Sequence, residues 1–92
     1  MKFIKHLWHS LTHLSPEEHY PIIMMYGNKQ IVIEHVEELI SFTHNKISVL
    51  CQLGMVEAYG EDLFILMMQH DEIVIQGRIN EVQFSPEKRR NV

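Results

Sequence analysis

The chain has 92 residues, of which 46% are hydrophobic and 22% are charged, a composition typical of one small globular domain. Its formal charge of −4 and its eight Lys and Arg residues, which are scattered apart from the run at 88–90, disfavour nucleic-acid binding, which needs a basic surface for phosphates. The longest apolar runs fall far short of the ~20 residues of a membrane-spanning helix.

The first predicted element is an amphipathic helix, followed by a short capped turn, within residues 1–20. Ser15 is a suitable N-cap for the turn, with Pro16 at the first helical position and Glu18 at the capping-box position. Charged and histidine side chains interrupt any secretory signal core, so we expect a cytoplasmic chain. Apolar residues at three- and four-residue spacings form the helical stripe: Phe3, Ile4, Leu7, Trp8, Leu11 and Leu14.

The stripe is compatible with three different contacts. It fits the second apolar face of the chain's own sheet, and it also fits a partner protein. An aromatic and aliphatic face beside Lys2 and Lys5 is also typical of a peripheral membrane contact, although two lysines attract anionic lipid only weakly. The sequence leaves these three alternatives open.

From Pro21 onward the apolar period changes from that of a helix to two, which predicts a β domain over residues 21–85. Its short connections favour antiparallel neighbours. We therefore predict a mainly β fold: a single small domain with an antiparallel meander of about 7–8 short strands, forming a twisted sheet, a sandwich or a roll. The predicted strands are 22–26, 30–36, 39–43, 46–53, 55–59, 63–69, 72–77 and 78–84. Residues 86–92, which contain the run KRR, are predicted to form a flexible basic tail.

Alternation along these strands predicts one inner face and a second face that is also apolar. Gly54 and Gly77 fall at expected bends, and a bulge is expected near Asn80 and Glu81. The inner face is predicted to contain Ile31, Ile33, Ile47, Val49, Cys51, Leu63, Ile65, Ile73 and Ile75. The second face is predicted to contain Val32, Leu50, Phe64, Leu66, Met68 and Val74.

Catalytic and metal-binding motifs are not evident in the sequence. His6, His9 and His13 share one face of the predicted helix, but no HExxH or Cys-His pattern accompanies them. GxSxG, Walker and GxGxxG motifs are absent, and Cys51 fits a buried, inert thiol. We therefore predict no enzyme activity, no metal and no cofactor.

A rival hypothesis is a small-ligand site. It would need His35, His44 or His70 to line a concave pocket with converging carboxylates.

The segment PIIMMYGNKQIVIEH contains a proline, a predicted short strand, a Gly-Asn turn and an Ile-Glu pair in the next strand. It resembles the corresponding stretch, with its "I-E-N" motif, of the YabP/YqfC family of sporulation proteins, and the YqfC branch more closely. A glycine at position 54, GEDLFI at 60–65 and EIVIQGRINEVQF at 72–84 continue the match. Where the family motif I-E-N-x-x-G has Asn and Gly, this chain has His35 and Glu38. The residues that carry the first part are Pro21, Gly27, Asn28, Ile33 and Glu34.

The resemblance implies a role in endospore formation in the mother-cell compartment, with no catalytic residue to carry over. Together with the two-sided apolarity, it leads us to expect a non-enzymatic interaction module that contacts a protein partner or a second copy. The candidate interaction surface comprises Phe3, Leu7, Trp8, Leu11, Phe64, Leu66 and Met68.

Overall fold

A computed structural model describes residues 20–86, and this part of the chain forms a mainly β domain. The predicted N-terminal helix and nearly all of the predicted tail lie outside the described residues. The strands are β1 (Ile22–Tyr26), β2 (Gln30–Glu34), β3 (Val36–Phe42), β4 (Lys46–Cys51), β5 (Gly54–Gln69) and β6 (Glu72–Pro86). They form one antiparallel sheet in the order β1-β2-β6-β5-β4-β3.

The predicted meander is wrong at one step, between β2 and β3. β2 pairs with β6, whereas β3 pairs with β4 at the far side of the sheet. His35 alone separates the two strands, and its φ of 69° lies in the left-handed region. Such a residue turns the chain out of the strand direction, so β3 does not fold back beside β2.

The prediction of 7–8 short strands is also wrong, because two pairs of predicted strands are continuous. Residues 55–59 and 63–69 belong to β5, and residues 72–77 and 78–84 belong to β6. The polar segment at Gly60 is a bend within a long strand rather than a turn between short ones. The bend expected at Gly77 is confirmed, since its φ of 140° lies within the continuous β6. The bulge expected near Asn80 is confirmed, since Tyr59 pairs with Glu81 while Gly60 pairs with Ile79.

The bends divide the sheet into two halves. We define the first half-sheet as β1, β2, residues 72–76 of β6 and residues 64–69 of β5. The second half-sheet consists of β3, β4, residues 54–59 of β5 and residues 81–86 of β6.

Turns from other parts of the chain hold both bends. The Leu63 N–H donates to the His44 carbonyl at 2.9 Å, and the Ile79 N–H donates to the Asn28 carbonyl at 2.8 Å. Gly77 has a φ of 140°, and a Cβ at this position would lie 2.6 Å from the Asp62 carbonyl oxygen. The close approach of the two strands therefore requires glycine.

One buried cluster runs through both half-sheets. It contains eight of the nine residues predicted for the inner face, and the ninth, Ile65, packs against it partly buried. The predicted inner face is therefore confirmed. The cluster consists of Ile31, Ile33, Val36, Ile47, Val49, Cys51, Val56, Ala58, Leu63, Ile73, Ile75 and Ile79.

Candidate interaction surface

The second face of the first half-sheet contains a row of apolar side chains that crosses all four strands. In the strand register, Met24 lies opposite Val32, Val32 opposite Val74, and Val74 opposite Met67. Residues directly opposite each other share a face of an antiparallel sheet. Val32 and Val74 are buried but lie outside the core cluster. They form the centre of a separate apolar surface.

Large exposed side chains extend this surface. Tyr26 on β1 and Phe64 on β5 lie at the two ends of the next row and are 55% and 45% exposed. Between them, the Gln76 Nε2 donates to the Gln30 Oε1 at 2.6 Å, so the two amides pair with each other across the strands. Leu66, 55% exposed, adds to the surface at the free edge of β5.

An acidic row borders the apolar row on the opposite side. Glu34 lies opposite Glu72 in the pairing of β2 with β6. Two like charges directly opposite each other repel, so a cation placed over them would be stabilised. We call the whole surface the outer face, and it comprises Met24, Tyr26, Val32, Phe64, Leu66, Met67 and Val74, with Glu34 and Glu72 at its border.

The corresponding face of the second half-sheet carries a polar network, although the predicted second-face residue Leu50 lies opposite Met55 on it. The Glu57 carboxylate accepts hydrogen bonds from the Tyr59 hydroxyl at 2.9 Å and the Ser48 hydroxyl at 3.1 Å. The Lys46 Nζ lies 3.4 Å from the same carboxylate. The hydrogen bond from Tyr59 lowers the pKa of Glu57, with further contributions from Ser48 and Lys46. The same hydrogen bond raises the pKa of Tyr59. These groups satisfy one another, so this face has a structural explanation.

A shallow cavity of about 340 Å³ lies where β2 passes into β3, and it is lined by His35, Val36, Glu37, Gln52 and Asp71. The His35 Nδ1 lies 3.3 Å from an Asp71 carboxylate oxygen, so one predicted histidine does meet a carboxylate. His44 and His70 do not line this cavity. Of the three histidines of the predicted ligand site, the structure places only His35 in the lining of this cavity.

Within residues 20–86, no group of three His, Cys, Asp or Glu side chains is placed to hold a metal ion. His6, His9 and His13 lie outside that range. In the same part of the chain, no helix has the length and apolarity that crossing a membrane requires.

A family model decides the identity of the domain. The model of the YabP family matches residues 17–91, about four fifths of the chain. The chain belongs to the YabP family. No curated protein and no solved structure matches it. The YabP match contains all six strands and the outer face, and it is consistent with a sporulation-related protein.

The structure of this YabP-family domain brings together only part of the predicted surface. Phe64 and Leu66 lie together on the outer face, but Met68 pairs with Ile73 and therefore shares the inner side. Met67 takes its place, because a register shift between Ile65 and Met67 changes the alternation. The predicted residues Phe3, Leu7, Trp8 and Leu11 lie outside the described residues.

Sequence reasoning missed Met24, Tyr26 and Met67 as members of the outer face. Met24 and Tyr26 alternate with Ile23 in β1, so the period-two pattern contained a usable signal for them. The sequence contained no such signal for Met67, because the run LFILMM has no polar residue to show where the alternation changes.

Proposed function

We propose that this chain is a non-enzymatic sporulation protein that acts as a small interaction and assembly module during endospore formation. The resemblance to the YqfC branch supports a place in the cytoplasm of the mother cell. The single observation that carries the proposal is the outer face, an apolar surface that crosses a four-stranded half-sheet.

The side chains on the outer face support a protein contact. Contiguous exposed apolar patches bordered by polar groups are typical of interaction sites, and aromatic residues and Met are enriched in interfaces. Tyr26 and Phe64 provide aromatic area, and Met67 an adaptable side chain. The occupant we propose is a protein partner or a second copy of the chain, and not a nucleic acid.

The polar groups give little support to catalysis. The carboxylate with the clearest pKa shift, Glu57, has its pKa lowered, whereas a general acid working near neutral pH needs a raised one. Its hydrogen-bond partners are on the same sheet face. We accordingly propose that the protein takes no cofactor.

Ligand binding is a second candidate, favoured by one observation. The cavity between β2 and β3 combines His35 and Asp71 with Glu37 and Gln52, a polar lining suited to a small cationic or hydrogen-bonding molecule. His35→Asn, which keeps a residue that tolerates the left-handed conformation, should then abolish saturable binding of such a molecule while leaving the protein contacts of the outer face intact. Calorimetric titration of the natural chain and of the His35 variant would compare their binding of the molecule.

The leading proposal is tested by capture from sporulating cells with three tagged full-length chains: the natural one, Leu66→Glu and Ile40→Glu. Leu66 lies on the outer face, and Ile40 is a similarly exposed aliphatic residue (55% against 47%) on β3. A partner of the outer face should be retained by the natural chain and Ile40→Glu and lost with Leu66→Glu. The purified pair should then reproduce the difference.

Light scattering on the purified chains tests the second-copy version of the proposal. Circular dichroism first establishes that both variants remain folded. If Leu66→Glu retains every captured partner and the same mass in solution as the natural chain, the outer face is not the assembly surface.

A further inference from the structure

We infer that, in the free protein, the outer face is covered by residues 1–19 of the same chain. The outer face is also the proposed assembly surface, but its coverage by residues 1–19 does not depend on that function. A partner protein would have to displace this segment.

The point of attachment favours this segment. The described chain begins at Tyr20, and β1 starts at Ile22, which lies in the same cross-strand row as Glu34 and Glu72. The N-terminal segment therefore joins the sheet at the border of the outer face, on its first strand. It needs no long connection to reach the apolar row.

The length of the segment also fits. Residues 2–14 in helical form would span about 20 Å, and the four strands of the first half-sheet spread over about 15 Å plus their side chains. The five residues from 15 to 19 can extend about 17 Å, which is enough to reverse the chain direction. A helix laid across the strands would thus cover the face from β1 to β5.

Apolarity and charge are complementary between the two surfaces. The helical stripe has six apolar residues, and the outer face has seven, including two aromatic residues. Residues 1–14 contain Lys2 and Lys5 but no Asp or Glu, whereas the outer face is bordered by the opposed Glu34 and Glu72. Placing the lysines over these carboxylates relieves their repulsion.

Tethering favours the chain's own segment over that of a second copy. A connection of only five residues gives the segment an effective concentration in the millimolar range at the face. The segment of a second copy, present at micromolar concentration, competes poorly with the chain's own segment. Docking within one chain therefore predominates unless a partner binds the face more tightly.

The only tryptophan, Trp8, lies in the middle of the segment and reports on docking in the full-length protein. We expect a blue-shifted emission and acrylamide quenching several-fold weaker than that of a free indole. Leu66→Glu should shift the emission to the red and restore strong quenching, while the β domain keeps its cooperative urea unfolding. Leu11→Ser removes an apolar side chain one turn from Trp8 within the segment itself. It should cause the same red shift and the same increase in quenching.

Ile40→Glu is the matched control, because it places the same charge on the other half-sheet, and its Trp8 should stay protected. Docking within the chain also predicts protection that is independent of protein concentration. Trp8 quenched like free indole in the natural chain would overturn the inference. So would protection that appears only as a dimer forms, or only with phosphatidylglycerol vesicles. The capture experiment remains an independent test of the proposed function, because it compares the partner proteins that Leu66→Glu and Ile40→Glu retain.

Discussion

Residues with positive φ determine where this chain changes direction. In the part that the structure describes, the residues of this kind other than glycine are His35, Asp62 and His70, at 69°, 54° and 57°. Asp and His are among the side chains that tolerate the left-handed region best. His35 ends β2, Asp62 lies in the bend of β5, and His70 starts the turn into β6. His35 also stands where the resembling family has Asn, another residue suited to this conformation.

Gly77 and Gly27 give a matched test of backbone strain. Both have positive φ, but a Cβ on Gly27 would meet nothing within 4 Å, whereas one on Gly77 would contact Asp62 and Leu63. Gly27→Ala should lower the free energy of unfolding by about 1 kcal/mol. Gly77→Ala should lower it by at least about 2 kcal/mol, since steric overlap adds to the strain. Urea unfolding monitored by circular dichroism measures both, and equal losses would contradict the close approach at Gly77.

Strand pairing gives the two half-sheets different surfaces on the side away from the core. In the second half-sheet, Ser48 lies opposite Glu57 and Lys46 opposite Tyr59, so four polar groups form one network across β4 and β5. In the first half-sheet, the corresponding positions of β2 and β6 are Val32 and Val74. The strand β5 thus carries the Glu57 network in one half-sheet and part of the apolar outer face in the other.

The Glu57 network predicts a dependence of stability on pH. Hydrogen bonding to Tyr59 lowers the pKa of Glu57 from 4.5 in the fold. The resulting stabilisation is complete above that value and is lost as pH falls through the lower, folded pKa. Glu57→Gln should therefore flatten the fall in unfolding free energy on acidification below about pH 5.

Tyr59→Phe serves as the partial variant, because it removes the main hydrogen bond and keeps the carboxylate. It should reduce the acid dependence by less than Glu57→Gln does. Urea unfolding at a series of pH values compares the three chains. Identical acid dependence for the natural chain and Glu57→Gln would show that the network has no such effect.

The strands were predictable in part. Period-two alternation located β1 with its observed bounds and placed β2 and β4 within two residues of theirs. It divided β5 wrongly because the segment at Gly60 has the composition of a turn, and it divided β6 at Gly77, where a bend was expected but the strand continues. The backbones at both glycines instead bond to the turns that join β1 to β2 and β3 to β4. These bonds connect residues far apart in sequence, so no local pattern reveals them.

At the scale of the whole molecule, both half-sheets contribute to a single core, and Cys51 lies within it. The thiol is 1% exposed. Burial, with a smaller contribution from the Glu37 carboxylate, raises its pKa to about 11. The stabilisation from the neutral thiol is complete below the ordinary value of 9.0 and is lost as pH rises toward about 11.

Cys51 should therefore react with a thiol reagent only when the whole domain unfolds. At pH 8 we expect labelling at least about a thousandfold slower than that of an unfolded chain, set by the equilibrium between folded and unfolded states. Urea should accelerate labelling along the unfolding curve. The double variant Cys51→Ala, Leu53→Cys, which moves the thiol to an exposed position, should react at once. Rapid labelling of the natural folded chain would contradict a core that opens only as a unit.

The sequence by itself determined the β class, the inner face, most turns and the presence of a second apolar face. Each of these depends on local periodicity or on residues with special φ preferences. The tertiary structure alone decided that β2 pairs with β6, that β5 and β6 bend without ending, and that Met67 rather than Met68 joins the outer face. Pairing partners and bulges are set by contacts between distant residues. A run such as LFILMM shows that both sides are apolar, but only its register against Ile73–Ile75 determines which side chain faces which way.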